Sequence, residues 1–556
     1  MNIRLIIPPA MDWNMPLMAL PLLKSYLPSH WDARVIDVNA KFLSLSYGSG
    51  RLKELKEAFV SALSKRQLLN SVDICLQIED FIAHKQVGST ILHGRNITTI
   101  PDWYNSNQVY KYINSEQEIT KCLSNILIGC VGDPKPEIFA LSVSIEEQIV
   151  PSFLLSSIIR LQYPNSKIIW GGNIVSRLCD NLISSRLEYL FDLLVTGEGE
   201  PIIKDAIDYV LTNDKVSNKV FVRTNTNQSD TFESLLIPDY SDISWSDYLS
   251  PVKILPITAQ RKCKWSKCDF CAIHSCWTYG VRDRKVYDVV DEIEYLNNKY
   301  GVSYFRFVDE MTSSDYLFEL SQLLIERGIQ IRYEAYVRFE VNFTNRRVVE
   351  TIYKGGCRQL FWGLENINND ALKYMTKGTS RELITNCLNI SNLAGITNYC
   401  FVLTGIPHIP TSTEVETLDY VRTNEDIHVA VMGSFVIDRL SPIHVDPEMH
   451  KKYGISIFEI GDLTTEVGYT IEGKDIRNES KERTAKYISD MLNDRPDYAL
   501  TALLSEESRM VLSDCFGNQF AHEYIGASSL SSIERLVNKA KEMLIEERVL
   551  RRIEGE

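Results

Sequence analysis

The 556-residue sequence has no apolar run of about 18 residues or more, so a membrane-spanning helix is not expected. It has no excess of basic charge: 59 lysines and arginines stand against 73 aspartates and glutamates, a formal net charge of −14. Phosphate binding wants a basic surface, so nucleic acid is not an expected ligand. Met1 to Pro9 lack the charged start, apolar stretch and small-residue cleavage site of a signal peptide, and a cytoplasmic protein is expected. No internal repeat and no low-complexity segment stands out. Twelve cysteines in a chain of this length, read as cytoplasmic, argue against a disulfide framework. With 44% hydrophobic and 24% charged residues the composition is that of a folded globular protein. At about 150 residues per domain it has room for roughly three or four domains.

Short apolar runs alternate with helical stretches through the first part of the chain. Ile3–Ile7, closed by Pro8 and Pro9, reads as a buried parallel strand, followed by an apolar helix over Leu17–Leu27 and a strand over Ala33–Val38. Ile138–Val143, Lys167–Trp170 and Leu193–Val195 supply three more strands, with helices over Ile149–Gln162, Val175–Leu182 and Pro201–Leu211. This alternation predicts a doubly wound, Rossmann-like α/β sheet over residues 1–211, with ligand outside the C-terminal strand ends. Between about 40 and 136 the alternation stops. Leu52–Leu69 reads as one amphipathic helix and Trp103–Asn107 as a turn, a helical insertion. Residues 212–250, rich in Asn, Ser, Thr and Asp, read as a linker.

From Val252 the alternation resumes. Strands are expected at Ile254–Thr258, Tyr304–Val308, Ile331–Val337, Gln359–Trp362, Tyr399–Thr404 and Val429–Val436. Helices are expected at Val286–Tyr300, Tyr316–Glu326, Arg346–Lys354 and Arg381–Ala394. Repeated βα units of about 30 to 45 residues predict a full or partial parallel barrel over 251–450, with its chemistry on the loops after the strands. The tail, 451–556, is mixed and then helical, and its charged stretch Lys541–Arg552 reads as a solvated helix face.

Nine of the cysteines are scattered, but Cys263, Cys268 and Cys271 crowd onto one short segment in C-x4-C-x2-C spacing, directly after the first predicted barrel strand. Three thiolates on one loop can bind three irons of a 4Fe-4S cluster and leave the fourth open to chelate a small molecule. The alternative is a structural zinc knot that recruits His274 or Cys276. Arg261, Lys262, Lys264 and Lys267 surround the cysteines. They can offset cluster charge, form a docking face for an acidic electron donor, or be an ordinary solvated patch. Trp265 and Trp277 read as packing residues.

At these residues the sequence resembles the radical S-adenosylmethionine (radical SAM) superfamily, whose usual loop is C-x3-C-x2-C with an aromatic before the last cysteine. Phe270 matches that aromatic, and one residue is added between Cys263 and Cys268. With the preceding α/β segment, the chain is similar to radical SAM enzymes that place a Rossmann-like cobalamin domain before the barrel. The resemblance covers most of residues 1–440. It implies cobalamin contacts at the ends of the N-terminal strands, at Ser142, Ser144, Gly171, Gly172, Gly197, Glu198 and Gly199. No D-x-H-x-x-G motif is visible in that domain, so no histidine is nominated as a cobalt ligand. The resemblance also implies S-adenosylmethionine contacts at successive barrel strand ends. Phe270 lies in the cluster loop; Asp309 and Glu310 would meet the amino group, Arg338 the carboxylate, Glu365 the ribose hydroxyls, and the turn with Gly405 and Pro407 the adenine. The metal ligands would be Cys263, Cys268 and Cys271.

The expected cofactors are therefore a 4Fe-4S cluster, S-adenosylmethionine and cobalamin. The expected activity is C-methylation of an unactivated carbon in a peptide or small natural product, with an electron donor such as flavodoxin as partner. A cobalamin-dependent radical rearrangement or cyclisation uses the same sites, and a zinc-stabilised α/β binding module without catalysis is the reading from a different class.

Overall fold

The computed structural model describes residues 1–11, 13–47, 49–80, 85–87, 90–93, 96–98, 102–212, 219–222, 232–276 and 279–545. Six parallel strands make the first sheet, in the spatial order Asp32–Asp37, Asn2–Ile7, Ile138–Ser142, Lys167–Gly171, Leu193–Val195 and Val220–Phe221. Both faces are covered, so its strands are apolar runs rather than alternating ones. Ile3, Leu5 and Ile7 bury against Leu20 and the helix Ile203–Thr212, while Ile6 packs on the other side with Phe153 and Leu154 of the helix Ile149–Gln162. The strand order reverses beside Asn2–Ile7, which opens a crevice at the carboxyl ends there.

The second sheet lays its six parallel strands side by side in chain order: Ile254–Ile257, Tyr304–Phe307, Arg332–Val337, Cys357–Glu365, Thr397–Thr404 and Val429–Ser434. One face, with Phe305, Phe307, Ala335, Leu360, Trp362 and Cys400, buries against the connecting helices. The other carries Tyr336, Phe361, Tyr399 and Phe401 as a ring ladder. The α/β class and the parallel barrel-type sheet are thus as the alternation predicts.

Three local readings differ. The stretch over Leu52–Leu69 is two helices, Ser49–Ser64 and Leu68–Asp80, broken where Arg66 takes the left-handed φ of 53°. The insertion also holds three short antiparallel strands, Lys85–Val87, Thr90–His93 and Asn96–Thr98, too brief to show a period. The segment read as a linker supplies the sixth strand, Val220–Phe221, and then straps the edge of the first sheet. Its polar residues look like linker composition but cap other groups. Asp242 accepts from the Val35 N–H at 2.9 Å and pairs with Lys24 at 2.7 Å, and Phe232 and Tyr240 are buried.

The tail folds back. Its helix Glu506–Phe516 closes the ladder face of the second sheet, where buried Arg306 meets Glu334 at 2.5 Å and Glu506 and Glu507 at 2.9 Å each. Of the charged face expected over Lys541–Arg552, Lys541 donates to Asn493 Oδ1 at 2.7 Å, and the part after 545 lies outside the described residues. Among the described residues no helix is long and apolar enough to cross a membrane.

Two expectations follow. Arg306→Met leaves three carboxylates facing one another, two of them buried, which costs about 3–5 kcal/mol and should appear as a lower urea midpoint with the tail loosened. His428 is buried with Nδ1 accepting from the Asn398 N–H at 2.9 Å, and burial holds its pKa down to about 3. Between pH of about 3 and about 6.5 the imidazole stays neutral in the folded chain but protonates in the unfolded one, so stability falls through that window as pH drops, by about 1.4 kcal/mol per pH unit. Denaturant midpoints of the wild type and His428→Gln should therefore show a smaller pH 7 to pH 5 decrease in the variant.

Candidate active site

The cysteine loop grows from a two-residue antiparallel ribbon, Gln260–Arg261 paired with Arg282–Asp283, just past the end of strand Ile254–Ile257. Cys268 is buried, while Cys263 and Cys271 are partly exposed. The residue that lengthens the first spacer is absorbed by a local kink: Ser266 adopts a left-handed φ of 45° and its hydroxyl donates to the Cys263 carbonyl. The Cys271 N–H then donates to the Cys268 carbonyl at 3.2 Å. Trp265 donates its Nε1–H to the Thr376 carbonyl at 2.8 Å, and buried Asp269 accepts from the Tyr453 hydroxyl at 2.9 Å and from Lys452. The loop is tied on two sides to the second sheet and the tail. Trp265 is a packing residue; Trp277 lies outside the described residues, as do the side chains of His274 and Cys276.

Two cations stand beside the thiols. Arg338 Nη1 lies 3.7 Å from Cys268 Sγ, and its Nη2 donates to the Lys377 carbonyl. Lys377 Nζ is 2.7 Å from Glu365 Oε1 and 5.7 Å from the centre of the Phe270 ring. Burial pushes the Cys268 thiol up while Lys377 and Arg338 pull it down. Burial and the two other cysteines push Cys271 up to about 11. The three sulfurs therefore sense one another. Among the described residues no three His, Cys, Asp or Glu side chains gather around a single-ion site. Three cysteines on one short loop, with Arg338 and Lys377 beside Cys268, are a donor set whose chemistry fits an anionic iron–sulfur cluster with one open position.

The acidic pair, in the bend just after strand Tyr304–Phe307, divides by burial. Asp309 turns inward, accepting from Thr258 Oγ1 at 2.7 Å, the Ala259 N–H at 3.0 Å and Thr312 Oγ1 at 3.2 Å. Burial raises its pKa to about 7. It staples the strand ends. Glu310 is partly exposed and accepts from the Lys262 N–H at 3.3 Å, beside Cys263. Glu365 sits on a bulge with a φ of 59° and is engaged by Lys377. Gly405 has a φ of 72°, and a Cβ there would lie 1.7 Å from Ser480 Oγ. The helix Arg477–Asp494 thus packs on the turn that continues to buried Pro407.

In the first sheet, Ser142 and Ser144 bring their hydroxyls within 3.4 Å at one strand end. Gly171 closes the next strand. Gly172, with a φ of 115°, would set a Cβ 2.3 Å from the Val143 carbonyl oxygen, so its bareness serves the protein's own backbone. The Gly197 N–H donates to Ser176 Oγ at 2.9 Å, and Gly199 packs on Leu23. The Glu198 carboxylate pairs with Arg261, at 2.8 Å, and Arg282, and Arg261 also pairs with Glu200. Arg261 is therefore buried and not part of a basic docking patch, while Lys264 pairs with Asp283 at 2.8 Å.

These contacts run between loops that follow strands, so the carboxyl ends of the two sheets face each other. Glu146, after Ile138–Ser142, accepts from the Thr465 N–H at 2.6 Å. Arg177, after Lys167–Gly171, pairs with Asp438 and donates to the Arg439 carbonyl at 3.3 Å. The short helix Asn173–Arg177 also packs against Ile273–Cys276 of the cysteine loop. Lys377, Glu146, Arg177 and Glu200 were not nominated from the sequence, and no spacing or period marks them.

Residues 257–421 match the model of the Radical SAM superfamily. Over 238 residues, 40% of this chain and 51% of the relative, the chain is 22% identical to an uncharacterized methyltransferase of Pyrococcus horikoshii. Over 249 residues, 41% of this chain and 49% of the relative, it is 24% identical to an anaerobic magnesium-protoporphyrin IX monomethyl ester cyclase of Synechocystis sp.. The chain spans about half the length of these curated relatives. Among solved structures it is similar to the cobalamin-dependent S-adenosylmethionine radical enzyme OxsB with aqua-cobalamin bound. That likeness has a TM-score of 0.58 at 15% identity and covers 100% of this chain and 80% of that one. It is also similar to the radical S-adenosylmethionine methyltransferase TsrM from Kitasatospora setae, with a TM-score of 0.56 at 13% identity and coverage of 97% and 99%. At such identities the likeness is one of fold. The domain match and the three-cysteine loop give this chain a radical SAM domain over residues 257–421, and its paired parallel sheets share the fold of those two solved enzymes.

Proposed function

We propose that the protein is a cobalamin-dependent radical SAM methyltransferase acting on an unactivated carbon of a peptide or small natural product, with electrons from a small donor such as flavodoxin. The observation that carries this reading is the three-thiol loop at one parallel sheet's strand ends, facing the strand ends of a second, doubly wound sheet. When bound, a 4Fe-4S cluster and cobalamin supply the one-electron cleavage of S-adenosylmethionine and the methyl group that is delivered.

The chain's own residues bind, orient and exclude water. Cys263, Cys268 and Cys271 hold the cluster, and Arg338 and Lys377 offset its negative charge. Glu310, the outward member of the acidic pair, accepts from the amino group of S-adenosylmethionine, and Arg338 pairs with its carboxylate. Glu365, on its bulge, reaches ribose hydroxyls once Lys377 shifts toward the bound anion, and the turn from Gly405 to Pro407 gives adenine an apolar wall. On the facing side, Ser142, Ser144, Gly171, Gly172, Gly197 and Gly199 form the rim toward cobalamin, while Glu198 serves that rim from behind. A cyclase among the curated relatives supports a second reading, ring formation without methyl transfer on the same cofactor sites.

Anaerobic reconstitution should give a brown protein with about four irons per chain, and Cys268→Ala should lose most of that iron and its absorbance. With S-adenosylmethionine, reductant and hydroxocobalamin, 5′-deoxyadenosine and methylcobalamin are expected; a colourless protein holding one zinc sinks the proposal. Product mass separates the two readings, since only the first adds a methyl group. Glu310→Gln should weaken S-adenosylmethionine binding about tenfold by equilibrium dialysis, whereas Asp309→Asn should lower thermal stability and leave that affinity near the wild type's.

A further inference from the structure

Arg261 and Arg282 stand opposite each other in the two-residue ribbon from which the whole cysteine loop projects. Both reach across to one acid of the first sheet. Glu198 Oε2 accepts from Arg261 Nη1 at 2.8 Å and from Arg282 Nη1 at 3.0 Å, while Oε1 accepts from Arg282 Nη2. Glu200 takes the second arm of Arg261. The side chains of Glu198, Arg282, Arg261 and Glu200 are 2%, 7%, 8% and 9% exposed. The Phe232 ring, 4.6 Å and 5.4 Å from the two guanidiniums, helps keep water out.

Two cations and two anions balance in one buried cluster. Pulling one partner away leaves desolvated charge behind, so partial opening is costly. The clamp also joins two working loops. Glu198 lies in the Thr196–Glu200 turn that borders the first sheet's crevice, where the Gly197 N–H is held by Ser176 Oγ at 2.9 Å. Arg261 lies two residues before Cys263.

We propose that Glu198 is a positioning residue that couples the ligand site at the first sheet's strand ends to the cysteine loop, so that filling either site favours the closed clamp and tightens the other. This rests on the cobalamin assignment made under the proposed function. A ligand shifts the clamp only by its differential affinity for closed and open forms, and the coupling must then be reciprocal.

The test is an anaerobic titration of full-length protein with hydroxocobalamin, followed by quenching of tryptophan fluorescence, in cluster-free and reconstituted forms. The wild type should bind at least about fivefold more tightly when reconstituted. Glu198→Gln, which keeps the volume and removes the charge, should bring the two affinities within about twofold of each other. Glu200→Gln leaves Glu198 bridging both arginines and should give an intermediate ratio, and it serves as the test if Glu198→Gln does not fold. Equal affinities in the two wild-type forms overturn the coupling, and a variant ratio equal to the wild type's overturns the role of the clamp. No hydroxocobalamin binding by either wild-type form overturns the cobalamin assignment itself, and the coupling with it.

Discussion

Glu198 sits between two guanidiniums with 2% of its side chain exposed, and its carboxylate stands in for the solvation that both gave up, with Glu200 sharing Arg261. Because they belong to strand-end loops of different sheets, their pairing decides how those sheets meet. A parallel sheet covered on both faces leaves its carboxyl ends as the place where loops can gather chemistry. Here two such sheets turn those ends toward each other. Glu146 on Thr465 and Arg177 on Asp438 continue the seam away from the clamp.

The cysteine loop takes its shape from its surroundings as much as from its own spacing. The kink at Ser266 accommodates the added residue, and Asp269, buried under Tyr453 and Lys452, fixes the loop to the tail. Arg338 and Lys377 arrive from two other strand-end segments and place positive charge beside Cys268. The tail, which resembles nothing recognised in the sequence, thereby becomes part of the site's foundation. It also closes the far face of the second sheet through Arg306, Glu506 and Glu507.

The strands were legible because buried parallel strands are apolar on both faces and are cut off by turns: Ile3–Ile7, Lys167–Trp170 and Tyr304–Val308 fall within a residue or so of Asn2–Ile7, Lys167–Gly171 and Tyr304–Phe307. The break at Arg66 was not, since apolar residues before and after it keep a helical spacing across the turn. The strap over 232–250 was read as a linker because its aspartates and serines look solvent-seeking, while in the fold Asp242 caps the edge strand of the first sheet and Ser241 accepts from Lys24. The acidic pair lies just past the strand the sequence predicted, yet Asp309 is buried and Glu310 partly exposed, a matter of side-chain direction that residue type does not carry.

Chemical identity and local order were written in the sequence: three thiols within nine positions, glycines and acids at strand ends, and alternating βα units that dictate parallel sheets. Those are properties of neighbours along the chain. Which acid faces the site, which glycine spares its own backbone, and which arginine two residues from a cysteine is buried in a clamp depend on residues tens to hundreds of positions away. Long-range pairing leaves no period in the sequence, because Glu198 and Arg282 meet through the packing of two sheets. Only the tertiary structure could decide them.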